Sequence, residues 1–539
     1  MTAAPGPGLV GAFLAHHLRY RPVDATFMGI GGYDDLLPPA GAGTASEERA
    51  GLEALRTRLA AVSMPATPGE RLDLSLMRAE IAVAEANLAH RPRFANPCWY
   101  TGEAAFAVIG LLLPQSLPVD SQAVAARLRA VPDFLSDGQA RLDGAPAPRG
   151  WVERAKREAA VFAAFLDGDL RRHPDWRTDW ADPAAAAARS ARAFAAAIDR
   201  LEDRDPAAGS GHLSLLIREA HGLDLSPEAL LRQGEAAFEL AGAELAEMAA
   251  RIDPQHSWRE QVDGLASLHP PTAGAVLESY RAWHDQAIAE GAALVTPETG
   301  YGLEYRSLAA AFRSLAGDLY FLFYRSPPAG RPGAGSVYWV GSPAEDEAAY
   351  LRAQNHATVK AIHAVHHGSI GHHTQNARAR RAPSRLARLA GTDCAAGIAF
   401  LSAGTMVEGW ACYAEDLLLE VPDFYTPAER LLLKYFERRN AASVLVDIRL
   451  HTGEWSLDEA RRFYREDAGF APARVDGEIT RNSIFPASRL MYWTGVERIK
   501  ALRSRWRGDT RSFHDELIGH GHVPVAWVES EMQLAGKLT

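Results

Sequence analysis

The sequence predicts a mostly α-helical fold, a large helical body with a few short strands. Three observations predict it. Apolar residues recur at intervals of three and four over long segments. Several of those segments open on residues that cap helices. Alternation with a period of two, the mark of half-buried strands, is rare.

The elements follow in order. Arg71–Leu88 carries the three-and-four spacing of a helix with one buried face. Ala184–Leu201 is Ala-rich and amphipathic, and Ala has the strongest helix propensity. Ser226–Met248 starts with Ser, Pro and Glu in capping order and then stays periodic for about six turns. Glu429–Arg449 behaves similarly, and Ser456–Glu466 opens on Ser-Leu-Asp-Glu, a capping box. Tyr301–Tyr305 and Val337–Val340 are the candidate strands; the second follows a Pro/Gly-rich loop, Ser326–Ser336. Further breaks fall at Pro38–Ala45, Ala145–Gly150 and His269–Thr272. They suggest an N-terminal helical portion, residues 1–270, and a C-terminal portion, residues 271–539, that carries the chemistry.

Composition narrows the function classes. The chain has 539 residues, 57 Lys+Arg against 67 Asp+Glu, and a net charge of −10. It has no basic footprint for nucleic acid or an anionic membrane. No apolar run approaches the roughly 20 residues of a membrane-spanning helix; the most apolar stretch is Ala105–Leu113. The N-terminus lacks a basic segment before its short apolar patch, Leu9–Ala15, so the expected compartment is the cytoplasm. Cys98, Cys394 and Cys412 are too few and too scattered for a disulfide framework or a Cys-type zinc site. Gly330–Gly335 lacks the Gly-Lys-Ser/Thr ending of a phosphate loop, and no Gly-x-Ser-x-Gly nucleophile elbow is present.

Histidine placement is the informative feature. Five of the 19 histidines fall between His363 and His373: His363, His366, His367, His372 and His373. Imidazole is the commonest protein ligand for divalent transition metals. On a straight helix, residues seven apart share a face but stand about 10 Å apart along the axis, wide for one ion. A kink at Gly371 would bring the second ring back. A solvated His-rich helix without metal is the competing reading. Glu408 and Glu415, also seven apart, present two carboxylates on one helical face, and either a solvated face or a His-His-Glu metal site accounts for them.

The ordered motifs resemble the bacterial family called domain of unknown function 885, itself similar to helical zinc peptidases. The family pattern is His-Glu-x-x-Pro-Gly-His-His followed by Leu/Thr-Gln, then Glu-Gly-Trp-Ala-x-Tyr-x-Glu. Here they read HHGSIGHHTQ at His366–Gln375 and EGWACYAE at Glu408–Glu415. Asp447–Ala460, Glu478–Arg481, Met491–Arg503, Phe513–Pro524 and Ala25–Pro38 extend the similarity along nearly the whole chain. The chain departs from the pattern where His367 replaces the Glu, where Ile370 replaces the Pro, and where Arg481-Asn482 and Pro486-Ala487-Ser488 replace Arg-Tyr and Pro-Gly-Gln.

The resemblance implies a metallopeptidase-like helical body with a central cleft and a zinc ion, or another divalent transition metal. It implies His366, His372 and Glu408 as ligands, with His373 as the alternative second imidazole. In such sites the missing Glu takes the proton of the attacking water. His367 or Glu415 would have to handle protons instead. Tyr492 resembles the tyrosine that helical zinc peptidases aim at the developing oxyanion, and a buried aromatic is its plainer reading. Arg489 and Arg481 could bind a substrate carboxylate or form structural ion pairs. Asp447 could orient a ligand imidazole or simply contact His451; His451 and His514 read as core or supporting histidines.

The expected function is therefore a zinc-dependent hydrolase of a peptide-like or amide bond. Two alternatives stand beside it: a metal-dependent enzyme of small-molecule, specialised metabolism that is not a peptidase, and an inactive member acting as a binding protein. The expected partner is a small-molecule or peptide-like substrate, without nucleic acid or membrane.

Overall fold

The computed structural model describes residues 6, 8–113, 118–300, 302–319, 324–331, 335–341, 343, 346–395 and 397–539. Helices dominate the described residues, and the strands are three short segments, Leu303–Ser307, Tyr324–Arg325 and Ser336–Val340. The chain folds into two compact units. One comprises Met1–Pro206, Ser307–Gly341 and Thr392–Ala399; the other comprises Ala207–Arg306, Ser342–Gly391 and Phe400–Thr539.

In the first unit the apolar stretch Ala105–Leu113 finds its explanation. It belongs to the Pro97–Leu112 helix, which is buried on nearly every side. A helix apolar all round needs partners all round. Trp99 and Tyr100 meet Phe134, and Tyr100 also meets Phe194 from the Ala181–Ile198 helix. Arg127, fully buried, donates to the carbonyls of Ala107 and Leu36 and to the Thr26 hydroxyl at 2.7–3.1 Å, which satisfies an otherwise costly buried cation. Tyr324–Arg325 pairs antiparallel with Ser336–Val340, Tyr324 opposite Tyr338. No helix among the described residues is long and apolar enough to cross a membrane.

In the second unit two 26-residue helices, Pro227–Ile252 and Pro427–Thr452, pack along each other. Ser226 caps the first through the Ala229 amide, and Thr426 with Glu429 forms a capping box on the second. Each cap contributes about 1 kcal/mol. Leu245 and Ala249 of one helix join Leu431, Leu432 and Tyr435 of the other in a common core. The predicted capping box of Ser456 and Glu459 is formed on the Leu457–Glu466 helix.

The strands differ slightly from expectation. The segment expected at Tyr301–Tyr305 is a strand at Leu303–Ser307, and Tyr301 lies outside the described residues. Residues 332–334 of the Pro/Gly-rich segment also lie outside them.

Candidate metal centre

All the candidate residues sit in the second unit. The histidine segment is not one straight helix. His367 N–H donates five residues back, to Ile362 O, so the turn before Gly368 is wide. Gly371 then leaves helical geometry with ψ −127°. A Cβ there would lie 2.1 Å from His366 O, so only glycine fits this close return of the backbone. Trp410 Nε1 donates to Ile370 O at 3.0 Å and pins the kink against the Gly404–Leu417 helix. The result places the rings of His366 and His372 only 4.9 Å apart, centroid to centroid. Six residues of undistorted helix would separate them by about 9 Å along the axis.

Glu408 and Glu415 project from the Gly404–Leu417 helix toward this kink. Glu408 Oε2 lies 3.6 Å from His366 Nε2 and 3.9 Å from His372 Nε2. Both imidazoles are oriented from behind. His366 Nδ1 lies 2.6 Å from Glu415 Oε1, and His372 Nδ1 lies 3.1 Å from Gln375 Oε1. Gln375 Nε2 donates to Met406 O at 2.7 Å, which fixes its amide so that the oxygen faces His372. His372 Nδ1 therefore carries the hydrogen, and its Nε2 lone pair points toward Glu408. Such backing by a carboxylate or carbonyl is how proteins hold metal-binding imidazoles.

His367 joins the same group. Among the described residues, one ligating atom from each of His366, His367 and His372 can be chosen within 4.8 Å of one another, and the same holds for His366, Cys412 and Glu415. Neither His373 nor Glu408 belongs to these two groups; the buried ring of His373 lies edge to face with His284, centroids 6.1 Å apart. Of the two candidate second imidazoles, the kink brings His372 to Glu408.

The electrostatics follow from burial and neighbours. Burial alone would lower the His366 pKa, but hydrogen bonds with Cys412, Glu408 and Glu415 carry it well above 6.5. Burial and then the neighbouring imidazoles of His366, His372 and His363 hold His367 well below 6.5, so it is neutral. Burial and His366 push His372 down to about 4 against the opposing pull of Glu408 and Gln375. For Glu408, burial raises the pKa, but His366, His372 and Arg489 outweigh it, and the carboxyl stays below its ordinary value. Burial raises Glu415.

Tyr492 is half-buried on the Leu490–Ser504 helix. That helix crosses the Glu408 helix at a pair of glycines: a Cβ on Gly409 would lie 2.6 Å from Gly495 Cα. Arg489 Nη1 donates to Tyr492 Oη at 3.2 Å, leaving the phenol hydrogen free to donate elsewhere. Burial and the charge of Glu408 raise the Tyr492 pKa, so the phenol stays protonated. Arg489 is 6% exposed, and its guanidinium also engages Glu478. Arg481 is half-buried and near enough to act on Tyr492 electrostatically.

Two residues, Gln375 and Asp447, carry roles that spacing alone does not reveal. Gln375 stood in the motif without a function; its position three after His372 was the available signal. Asp447 does not reach the imidazoles of the cluster. It accepts the amides of Ala487, Arg489 and Leu490 at 2.9–3.1 Å and so anchors the start of the Tyr492 helix. His451 and His514 bond the carbonyls of Asn482 and Leu294, as core histidines do.

No curated protein sequence matches the chain. Two solved structures share its fold. A "putative lipoprotein of unknown function" from Shewanella oneidensis is 17% identical, with a TM-score of 0.77, over 98% of this chain and 100% of that one. A "putative lipoprotein" from Colwellia psychrerythraea is 17% identical, with a TM-score of 0.78, over 98% and 99%. A sequence profile of bacterial proteins of unknown function matches residues 22–532. With the match running almost end to end, the chain belongs to the bacterial family of unknown function DUF885.

Proposed function

We propose that this protein is a divalent-metal-dependent hydrolase of a peptide-like or amide bond, with zinc as the expected ion. One observation carries the reading: the Nε2 atoms of His366 and His372 both face Glu408 Oε2, at 3.6 and 3.9 Å, while each Nδ1 is held from behind. Two imidazole nitrogens and one carboxylate fit a catalytic zinc-type site with a position left for substrate. When bound, the ion would polarise a carbonyl and make a water acidic enough to attack it at neutral pH.

The chain's own residues divide the remaining work. Glu415 and Gln375 hold the two ligand rings in one tautomer. His367, neutral and beside the ligand nitrogens, accepts the proton of the attacking water at a ring nitrogen and returns it to the leaving group. Tyr492, protonated and steadied by Arg489, donates its hydroxyl to the oxyanion that develops on the substrate. Arg481 and Arg489 are the proposed partners of a substrate carboxylate, and Arg489 is also held by Glu478.

The test is metal content and turnover together. Purified full-length protein loaded with Zn2+ and desalted should retain about one equivalent, and His366→Ala should lose it along with hydrolysis of peptide and amide libraries. A wild type that retains no transition metal overturns the reading.

A second reading is supported by His367 itself. Its nitrogen falls within the donor group, so it could serve as a further ligand. The site would then lack a base and suit metal-assisted chemistry on a small molecule other than peptide hydrolysis.

For the compartment, the two structural relatives are described as putative lipoproteins, which argues for a lipid-anchored protein rather than a cytoplasmic one. Fractionation of the native host with an antibody to the chain separates a cytoplasmic protein from a lipid-anchored one.

A further inference from the structure

We propose that His366, Cys412 and Glu415 form a second cation position, selective for soft divalent metals, beside the position at Glu408. It deepens the reading above by adding a regulating ion to the same site, and it rests on that reading only for the function of the first position.

The placement begins with the helix. Glu408, Cys412 and Glu415 stand at i, i+4 and i+7 on the Gly404–Leu417 helix, so one face presents carboxylate, thiol and carboxylate in a ladder. His366 spans the rungs. Its Nε2 faces Glu408, and its Nδ1 faces Glu415 at 2.6 Å. A ligating atom of Cys412 lies within 4.8 Å of those of His366 and Glu415, and all three residues are buried, at 5–8% exposure. Asn440 Nδ2 donates to Cys412 Sγ at 3.6 Å from the neighbouring long helix, which holds the sulfur in place.

The donor chemistry sets the preference. A thiolate with an imidazole selects softer ions such as Cd2+ and Zn2+ over Mg2+ or Ca2+. Cys412 occupies the variable position of the Glu-Gly-Trp-Ala-x-Tyr-x-Glu pattern, so this soft donor belongs to the individual chain and not to its motif. An ion entering here takes the place of the proton between His366 Nδ1 and Glu415, and both that proton and the thiol proton of Cys412 are released to solvent. Because the same imidazole serves both positions, filling the second weakens the hold of His366 on the first. Excess soft metal therefore inhibits.

The test uses Cd2+ titrated into the full-length chain, read by the ultraviolet charge-transfer band of cadmium thiolate and by the number of equivalents bound. Wild type and Glu408→Gln should both develop the band, and Cys412→Ser and Cys412→Ala should lose it while keeping the wild-type far-ultraviolet circular dichroism. A wild type that binds one Cd2+ without a thiolate band overturns the second position and leaves the first intact. A band that persists in both Cys412 variants assigns the sulfur to Cys98 or Cys394 and also overturns it. Loss of all binding in Glu408→Gln, band included, shows that there is one position and not two. A wild type that binds a single Cd2+ with the thiolate band supports this position and counts against the one at Glu408.

Discussion

The Nδ1 atom of His366 lies 2.6 Å from Oε1 of Glu415, on the side of the ring away from Glu408. This arrangement leaves Nε2 as the atom available to the proposed cation, and it predicts that Glu415 acts by orienting His366. Glu415→Leu should weaken Zn2+ affinity by about 10–100-fold, the usual cost of losing such a backing group. Glu415→Gln, which retains an acceptor oxygen, should lose less. Competition with a chromophoric chelator measures both, and equal affinities for Leu and wild type would remove Glu415 from this role.

The Gly371 kink predicts a sharp difference between adjacent histidines. His372→Ala should abolish stoichiometric metal retention, because His372 Nε2 faces Glu408 at 3.9 Å. His373→Ala should retain it, because that ring lies against His284. Metal content after desalting, measured by atomic emission, decides the matter; the reverse order would mean that the segment turns the other way in solution.

Much of this was legible in the sequence, and the limits are physical. Helix starts at Ser226 and Ser456 were readable because a cap is a local arrangement, complete within four residues. The histidine cluster and the seven-residue spacing of Glu408 and Glu415 were readable for a similar reason. The choice between His372 and His373 was not, since it depends on ψ at one glycine and on a tryptophan, Trp410, some forty residues away. Asp447 was legible only in its contact with His451, which lies 3.7 Å from its carboxylate; its other partners are backbone amides at residues 487–490, and no side-chain pattern announces them. The proximity of Cys412 to His366 needs the same long-range packing.

The position of His367 predicts the outcome of restoring the motif. With His367 as the base, wild type should cleave peptides and His367→Ala should lose about 10²-fold or more in rate, the range in which general bases act. A rise of peptide hydrolysis above wild type in His367→Glu would instead make His367 a ligand. Rates on a fluorogenic peptide set, compared at equal metal content, distinguish the two.

His514 predicts acid sensitivity of the fold. Its ring is fully buried, with Nδ1 2.7 Å from Leu294 O and Nε2 3.0 Å from the Tyr413 hydroxyl. Burial, only partly opposed by the Leu294 carbonyl, pushes its pKa down to about 4. His221, buried against Ala487 O at 2.7 Å, is also lowered to about 4. An unfolded histidine titrates near 6.5, so between these values the unfolded chain binds the proton that the folded chain refuses. Stability should be fully present above pH of about 6.5 and fall as the pH drops toward about 4, by roughly 1.4 kcal/mol per pH unit for each such histidine. Urea midpoints across that range should show a shallower fall in His514→Gln than in wild type.

Ala487 offers the last prediction, and it turns a departure from the family pattern into a measurable strain. Its φ is +62°, in the left-handed region where a Cβ crowds the following carbonyl. The family pattern has glycine here. The strained residue is fixed from two sides: Asp447 accepts its amide at 3.0 Å, and His221 Nε2 meets its carbonyl at 2.7 Å. Those bonds hold the turn that starts the Tyr492 helix, so the conformation is kept despite its cost. Ala487→Gly should relieve about 1–2 kcal/mol of left-handed strain, less about 0.5–1 kcal/mol for the greater freedom of the unfolded glycine. The net expectation is a gain of about 0.5–1 kcal/mol in unfolding free energy, with the Asp447 and His221 bonds unchanged. A denaturant titration of the two proteins measures it. A variant less stable than wild type would show that Ala487 is not strained in solution.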